Sequence, residues 1–157
     1  MRDLEVFRIP LGKFTLERID INNKSHIKAI KSLRDRKAKN MCFDVLEDIK
    51  KIKKGQETGN TFLVKFADNY AGYVYISNDH DSERTVSMIV QKKLRGSGYG
   101  KIILTGVSDY LLKSGIASSV RLYIKNKNVE SSKMALSCGF DKDNDLTSDT
   151  SSFLRRK

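Results

Sequence analysis

The sequence predicts a single α/β domain with a mixed β-sheet, spanning residues 1–157. Segments of alternating apolar residues and segments with apolar residues three or four apart follow one another in the order β, α, α, β, β, β, α, β, α, β. The length of 157 residues suffices for one core but not for two ordinary domains. A glycine-rich loop in mid-chain joins a predicted strand directly to a predicted helix.

Periodicity and turn residues place each element along the chain. Alternation predicts a first strand at residues 14–21, and Ser25 can cap the helix that follows it. A polar, glycine-bearing break closes a second helical stretch, and Asp68-Asn69 suits a tight turn between two strands. The predicted elements after the first helix are a helix at 43–52, strands at 61–66, 72–76 and 84–91, a helix at 101–113, a strand at 119–125, a helix at 128–137 and a strand at 152–155.

Composition excludes several classes of protein. No apolar run approaches the roughly 20 residues that cross a bilayer, and the first residues lack the apolar core of a signal peptide. The two cysteines lie far apart in sequence, so reduced thiols in a cytoplasmic protein are expected. The two histidines, His26 and His80, have no metal-ligand spacing, and we expect no metal site.

The formal net charge of +11 raises the alternative of a nucleic-acid-binding domain. Much of the positive charge falls between Lys28 and Lys54. No aromatic residues are interleaved with these lysines, as stacking on single strands would require, so a solvated helical face is favoured. The charge can equally attract an anionic cofactor or an acidic partner.

The segment Leu94-Arg95-Gly96-Ser97-Gly98-Tyr99-Gly100-Lys101 predicts a phosphate site. Three glycines let the backbone turn tightly, and the helix that follows offers free amides and a partial positive charge. Arg95 and Lys101 flank this loop. It lacks the Gly-Lys-Ser/Thr of a Walker loop and the position of a dinucleotide fingerprint. A glycine-rich turn without a ligand remains the alternative.

These residues together resemble the GNAT acyltransferase superfamily, most strongly over residues 61–140. Arg95, Gly98 and Gly100 match the family loop Arg/Gln-x-x-Gly-x-Gly/Ala. Asn128 lies eleven residues before Gly139-Phe140, which is the family spacing for the helix after the fifth strand. The segment 71–76, Ala-Gly-Tyr-Val-Tyr-Ile, is similar to the family's central strand.

The resemblance implies an N-acetyltransferase that moves an acetyl group from acetyl-CoA to an amine of a small molecule or a protein. It implies a mostly antiparallel sheet flanked by helices, with the fourth and fifth strands splayed apart to hold the thioester. Homodimers are common in the family, and no membrane contact is implied. The implied cofactor-binding residues are Ile89, Val90, Gln91, Arg95, Gly96, Ser97, Gly98, Tyr99, Gly100, Lys101, Asn128 and Ser131.

The chain departs from the family where protons are transferred. The family's tyrosine, the acid for the leaving thiolate, corresponds to Ala135, and its glutamate base corresponds to Arg84 or Thr85. Glu83 is the neighbouring candidate base, although a solvated turn carboxylate is favoured there, and Ser132 is a candidate proton relay. An acyl-CoA-binding module without catalysis is therefore a second hypothesis.

Overall fold

The computed structural model describes residues 8–33, 50, 59–77 and 82–157, which form eight strands, three α-helices and one short 3-10 helix. In chain order they are β1 Arg8–Leu11, β2 Phe14–Arg18, α1 Lys24–Leu33, β3 Gly59–Phe66, β4 Asn69–Ser77, β5 Glu83–Val90, the 3-10 helix Lys92–Leu94, α2 Tyr99–Lys113, β6 Ser119–Lys125, α3 Val129–Ser137, β7 Asp141–Asp145 and β8 Thr150–Arg156.

The strands form one eight-stranded sheet in the order β1-β2-β3-β4-β5-β6-β8-β7. All neighbouring strands are antiparallel except β5 and β6, which are parallel. A parallel pair needs a crossover connection, and the segment containing α2 supplies it. The predicted fold class, a mixed and mostly antiparallel sheet flanked by helices, is confirmed.

The pairing of β5 with β6 ends after three residues on each strand, where Thr85 lies opposite Arg121. Beyond that point β5 continues along β4 to Val90, whereas β6 continues along β8 to Lys125. The two strands therefore separate, and a gap opens between them towards their carboxyl ends. The predicted splay lies between these strands, which are the fourth and fifth of the prediction.

Two hydrophobic clusters lie on opposite faces of the sheet. The larger one packs α2 against the strands, with Ile103, Leu104 and Leu111 of the helix buried among strand residues. The smaller one packs Ile30 and Leu33 of α1 against strand residues that include Tyr73 and Ile89. The end of β5 therefore touches both layers, because Ile89 belongs to the α1 cluster and Val90 packs against the α2 cluster.

Two strands were not predicted from the sequence. β1 is a four-residue edge strand that contains Pro10, a residue that argues against a strand except at an edge. β7 reads Asp-Lys-Asp-Asn-Asp and is exposed along its whole length, so it has no apolar alternation that would reveal it.

The remaining differences lie at element boundaries. α2 begins at Tyr99, two residues before its predicted start, and β2 ends at Arg18. The predicted helix at 43–52 lies outside the described residues, apart from Lys50. None of the helices formed by the described residues is long and apolar enough to cross a membrane.

Candidate active site

A cleft of about 590 Å³ opens beside the end of β5. The glycine loop and the start of α2 form one wall, and α3 forms the other. The residues that line it are Met88, Ile89, Val90, Arg95, Gly96, Gly98, Gly100, Lys101, Asn128, Glu130, Ser131, Lys133, Met134 and Ser137.

The glycine loop has a backbone that favours glycine at two positions. Gly96 and Gly98 have φ values of 81° and 82°, in the left-handed region where other residues are strained. Gly98 precedes the first helical residue of α2, and no side chain of the described residues caps this helix start. The amides of residues 99–101 have no acceptor within the helix, so they form a ready anion site on the cleft wall.

Charged side chains surround this helix start. Arg95, Lys101 and Lys133 line the cleft, and Glu130 is the acidic residue among the lining side chains. The Nε–H of Arg95 donates to the carbonyl oxygen of Val90 at 2.9 Å, which ties the glycine loop to the end of β5. The excess of positive charge favours a polyanionic ligand such as a phosphate ester.

The end of β5 presents backbone to the gap. The amide of Gln91 donates to the carbonyl oxygen of Ala71 at 2.7 Å, on the β4 side. Because successive residues of a strand direct their polar groups to opposite edges, the amide of Val90 faces the gap. This strand edge can hydrogen-bond an extended ligand in the cleft.

The start of α3 supplies the opposite wall. The Oδ1 of Asn128 accepts a hydrogen bond from the amide of Ser131 at 3.3 Å, so Asn128 is the N-cap residue of α3. With Oδ1 turned to the helix, the Nδ2 group of Asn128 is the donor left for a ligand. Gly100 lets the two walls approach, because a Cβ at Gly100 would lie 2.9 Å from the sulfur of Met134.

Most of the predicted cofactor-binding residues lie together in this cleft. Ser97 and Gln91 belong to the same segment but are not among its lining residues, and Tyr99 points away from it, into an aromatic cluster with Phe14 and Phe66. The predicted residues that line the cleft are Ile89, Val90, Arg95, Gly96, Gly98, Gly100, Lys101, Asn128 and Ser131.

Sequence reasoning missed five lining residues. Four of them, Glu130, Lys133, Met134 and Ser137, recur at helical spacing along one face of α3. That spacing was a usable signal, since Asn128 and Ser131 had already placed this helix beside the ligand. The fifth, Met88, lies two residues before Val90 on the same face of β5.

Glu83 lies in an ion pair at the narrow end of the gap. Its carboxylate accepts hydrogen bonds from Nε and Nη2 of Arg121 at 2.8 and 3.1 Å, and these raise the pKa of the guanidinium. Nη1 of Arg121 also donates to Asp143 at 2.7 Å and to Ser152 at 3.0 Å. Glu83 is not among the lining residues and lies five residues before Met88, roughly 16 Å along an extended strand.

The residues that the resemblance assigns to the family's proton-transfer positions are engaged elsewhere in the fold. Arg84 is buried, and its Nη1 donates to the carbonyl oxygen of Ser77 at 3.0 Å. Ala135 is buried in the large core. The hydroxyl of Ser132 donates to the carbonyl oxygen of Asn128 at 3.2 Å and Ser132 does not line the cleft, whereas Ser131 does. His80 lies outside the described residues.

The fold matches that of known acetyltransferases. The chain is similar to an acetyltransferase of the GNAT family from Bacillus anthracis, with a TM-score of 0.77, 10% identity and coverage of 95% of this chain and 98% of that one. It is also similar to the Campylobacter jejuni N-acetyltransferase PseH in complex with acetyl coenzyme A, with a TM-score of 0.70, 18% identity and coverage of 92% and 99%.

A third similar structure is RimL, a ribosomal L7/L12 alpha-N-protein acetyltransferase, in complex with coenzyme A. Its TM-score is 0.75 at 15% identity, and the match covers 95% of this chain and 97% of that one. At such identities these likenesses show the fold alone. No curated protein sequence matches the chain significantly. The model of the acetyltransferase (GNAT) family matches residues 27–140, which is most of the chain, and the chain therefore belongs to this family.

Proposed function

We propose that this protein transfers an acetyl group from acetyl-CoA to an amine by direct attack. One observation carries the proposal: the start of α2, the cap of α3 and the end of β5 beyond its pairing with β6 all face one cleft. Those three features suit the phosphates, the amides of the pantetheine arm and the thioester of one extended ligand. The names of similar structures include acetyltransferases of spermidine and of a ribosomal protein, which supports an amine acceptor.

The cofactor would bind along the cleft from the loop to the strand. The amides of residues 99–101 and the Lys101 side chain would hold the pyrophosphate. Nδ2 of Asn128 would donate to a carbonyl oxygen of the pantetheine arm, and Ser131 lies one turn along the same helix. The thioester would then lie beside Val90, at the splayed end of β5 and β6.

Acyl transfer there requires a neutral amine and a stabilised oxyanion. The amine nitrogen attacks the carbonyl carbon, and the Val90 amide can hydrogen-bond the oxygen on which negative charge develops. The C–S bond then breaks, and the proton lost by the amine neutralises the CoA thiolate, either directly or through water. The products are an N-acetyl amine and free CoA.

Proton transfer is where this chain differs from its family. We propose that water carries the amine proton, because the described residues that line the cleft include no histidine and one carboxylate, that of Glu130. Glu83 could act as a base only through a water chain from its pair with Arg121. Ser131 is better placed than Ser132 to bond the departing sulfur, because Ser131 lines the cleft.

A second candidate function is an acetyl-CoA-binding module without catalysis, which Ala135 at the position of the family's acid favours. Release of free thiol from acetyl-CoA, measured over a panel of small amines and peptide N-termini, separates the two. We expect amine-dependent thiol release that Gly98→Asp abolishes. Tight acetyl-CoA binding without turnover on any amine would favour the module, and absence of binding would reject both functions.

A further inference from the structure

The first residue of α2 is held by an aromatic cluster behind the glycine loop. The rings of Phe14, Phe66 and Tyr99 lie 5.2 to 5.7 Å apart, and the Phe14 and Tyr99 rings meet edge to face. The ammonium of Lys13 covers this cluster, 4.8 Å from the centre of the Tyr99 ring and 5.7 Å from each of the other two. These distances are within the range of cation–π attraction.

The hairpin that carries Lys13 also touches α2 further along. A Cβ at Gly106, in the middle of α2, would lie 3.1 Å from Cδ2 of Leu11. Leu11 ends β1, and Gly12 turns the chain with a φ of 66° so that Lys13 and Phe14 follow at once. The β1–β2 hairpin therefore contacts α2 at its first residue and two turns later, and it fixes the direction of the helix axis.

We propose that Lys13 is a positioning residue for the cofactor loop, acting through Tyr99. Tyr99 follows Gly98 directly, and its own amide belongs to the anion site at the start of α2. A ring clamped between Phe14, Phe66 and Lys13 holds that amide, and those next to it, in the orientation that a phosphate needs. The two glycines that precede Tyr99 in the loop, Gly96 and Gly98, would otherwise leave the loop conformationally free. The inference rests on the proposed cofactor site.

The test compares two lysine variants with the same change of charge. Lys13→Met removes the cation above the rings, and Lys24→Met removes an exposed lysine of α1 that forms no ion pair with the described residues. CoA binding is measured by calorimetry. We expect Lys13→Met to weaken CoA binding about two- to fivefold, as an exposed cation–π contact allows, and Lys13→Arg to restore it. Lys24→Met should leave it unchanged.

A double-mutant cycle locates the effect at Tyr99. In a Tyr99→Leu background, Lys13→Met should cause no further loss of CoA affinity, because the cation has lost its nearest ring. The proposal would be overturned if Lys13→Met weakened CoA binding as much in the Tyr99→Leu background as in the wild type. It would also be overturned if Lys13→Met and Lys24→Met weakened CoA binding equally, since a long-range charge effect would then explain both. An unchanged CoA affinity in Lys13→Met would overturn it as well.

Amide hydrogen exchange of the free protein separates this inference from the proposed function. We expect Lys13→Met to speed exchange at the start of α2 and to leave the last turn of α2 unchanged. If the wild-type protein binds no CoA, the proposed function fails and the role of Lys13 in cofactor binding fails with it. If CoA binds and neither exchange nor affinity changes in Lys13→Met, the inference about Lys13 alone is wrong.

Discussion

Gly72 lies on β4 at a point where any side chain would meet the backbone of β5. A Cβ at this position would overlap the carbonyl oxygen of Ile89, which is a backbone atom and cannot move away as a side chain could. We expect Gly72→Ala to lower the free energy of unfolding by about 1–3 kcal/mol, the usual cost of overpacking. Because Ile89 lines the cleft, the same change should also weaken acetyl-CoA binding. Urea unfolding and calorimetry measure the two effects.

Gly115→Ala is the control for this prediction. Gly115 follows α2, has open space around its Cβ position and has a φ of 76°, so alanine there adds backbone strain without a clash. The free energy of unfolding should fall by about 1 kcal/mol, and acetyl-CoA binding should not change. Equal effects of the two substitutions on acetyl-CoA binding would contradict the role assigned to Gly72.

Glu83 and Arg121 connect β5 to β6 where their pairing ends. If Glu83 serves mainly as the partner of Arg121, then Glu83→Gln and Arg121→Met should lower kcat by similar factors. Loss of a general base typically lowers kcat by about 10²- to 10⁴-fold. We expect each of the two variants to lower kcat by less than that. A loss of that size in Glu83→Gln alone, with an altered dependence of kcat on pH, would instead identify Glu83 as the base.

Among the elements, the start of α3 is the one for which we propose both a cap and a ligand contact, through Asn128. Asn128→Ser keeps an oxygen that can accept from the amide of Ser131, but it removes the Nδ2 donor. We expect Asn128→Ser to retain stability and to weaken acetyl-CoA binding. Asn128→Ala should lose about 1 kcal/mol of stability as well, because both groups are gone. Equal binding by Asn128→Ser and the wild type would show that Asn128 is only a cap.

The elements that line the cleft were also the most predictable from sequence. The glycine loop and α2 combine glycines, a strand before them and an apolar helical pattern after them, so their order and their chemistry could be inferred together. β1 escaped prediction because it is an edge strand of only four residues that contains Pro10, and β7 because all of its residues are polar and exposed. Both depend on pairing with a neighbour, which local sequence does not encode.

The direction of individual side chains was the least predictable feature of the site. The sequence predicts a cofactor contact for Tyr99 through its amide but does not predict the place of its ring, which packs behind the loop on Phe14 and Phe66. These partners come from β2 and β3, which are distant in sequence, so only the assembled fold reveals the contact. The pairing of Glu83 with Arg121 has the same origin, because it joins strands 38 residues apart.

At the scale of the whole molecule, the separation of β5 and β6 divides the sheet into two parts. β1 to β5 form one part and β6, β8 and β7 form the other, joined in the sheet by three residues of parallel pairing on each side. α2 and α3 flank the gap, and their contact at Gly100 and Met134 sets the distance between the cleft walls. The cleft is lined by the end of β5, by the glycine loop and by the two helices on either side of the gap.

We propose above all that this cleft binds acetyl-CoA through the glycine loop. The decisive experiment is thermal unfolding of the wild-type protein and of Gly98→Asp, with and without acetyl-CoA and with ATP and NAD as comparison ligands. A ligand at about 100 times its dissociation constant should add roughly 2.7 kcal/mol of stability. We expect a shift of Tm with acetyl-CoA that ATP and NAD do not produce and that Gly98→Asp abolishes. No shift at millimolar acetyl-CoA, or an equal shift in Gly98→Asp, would contradict it.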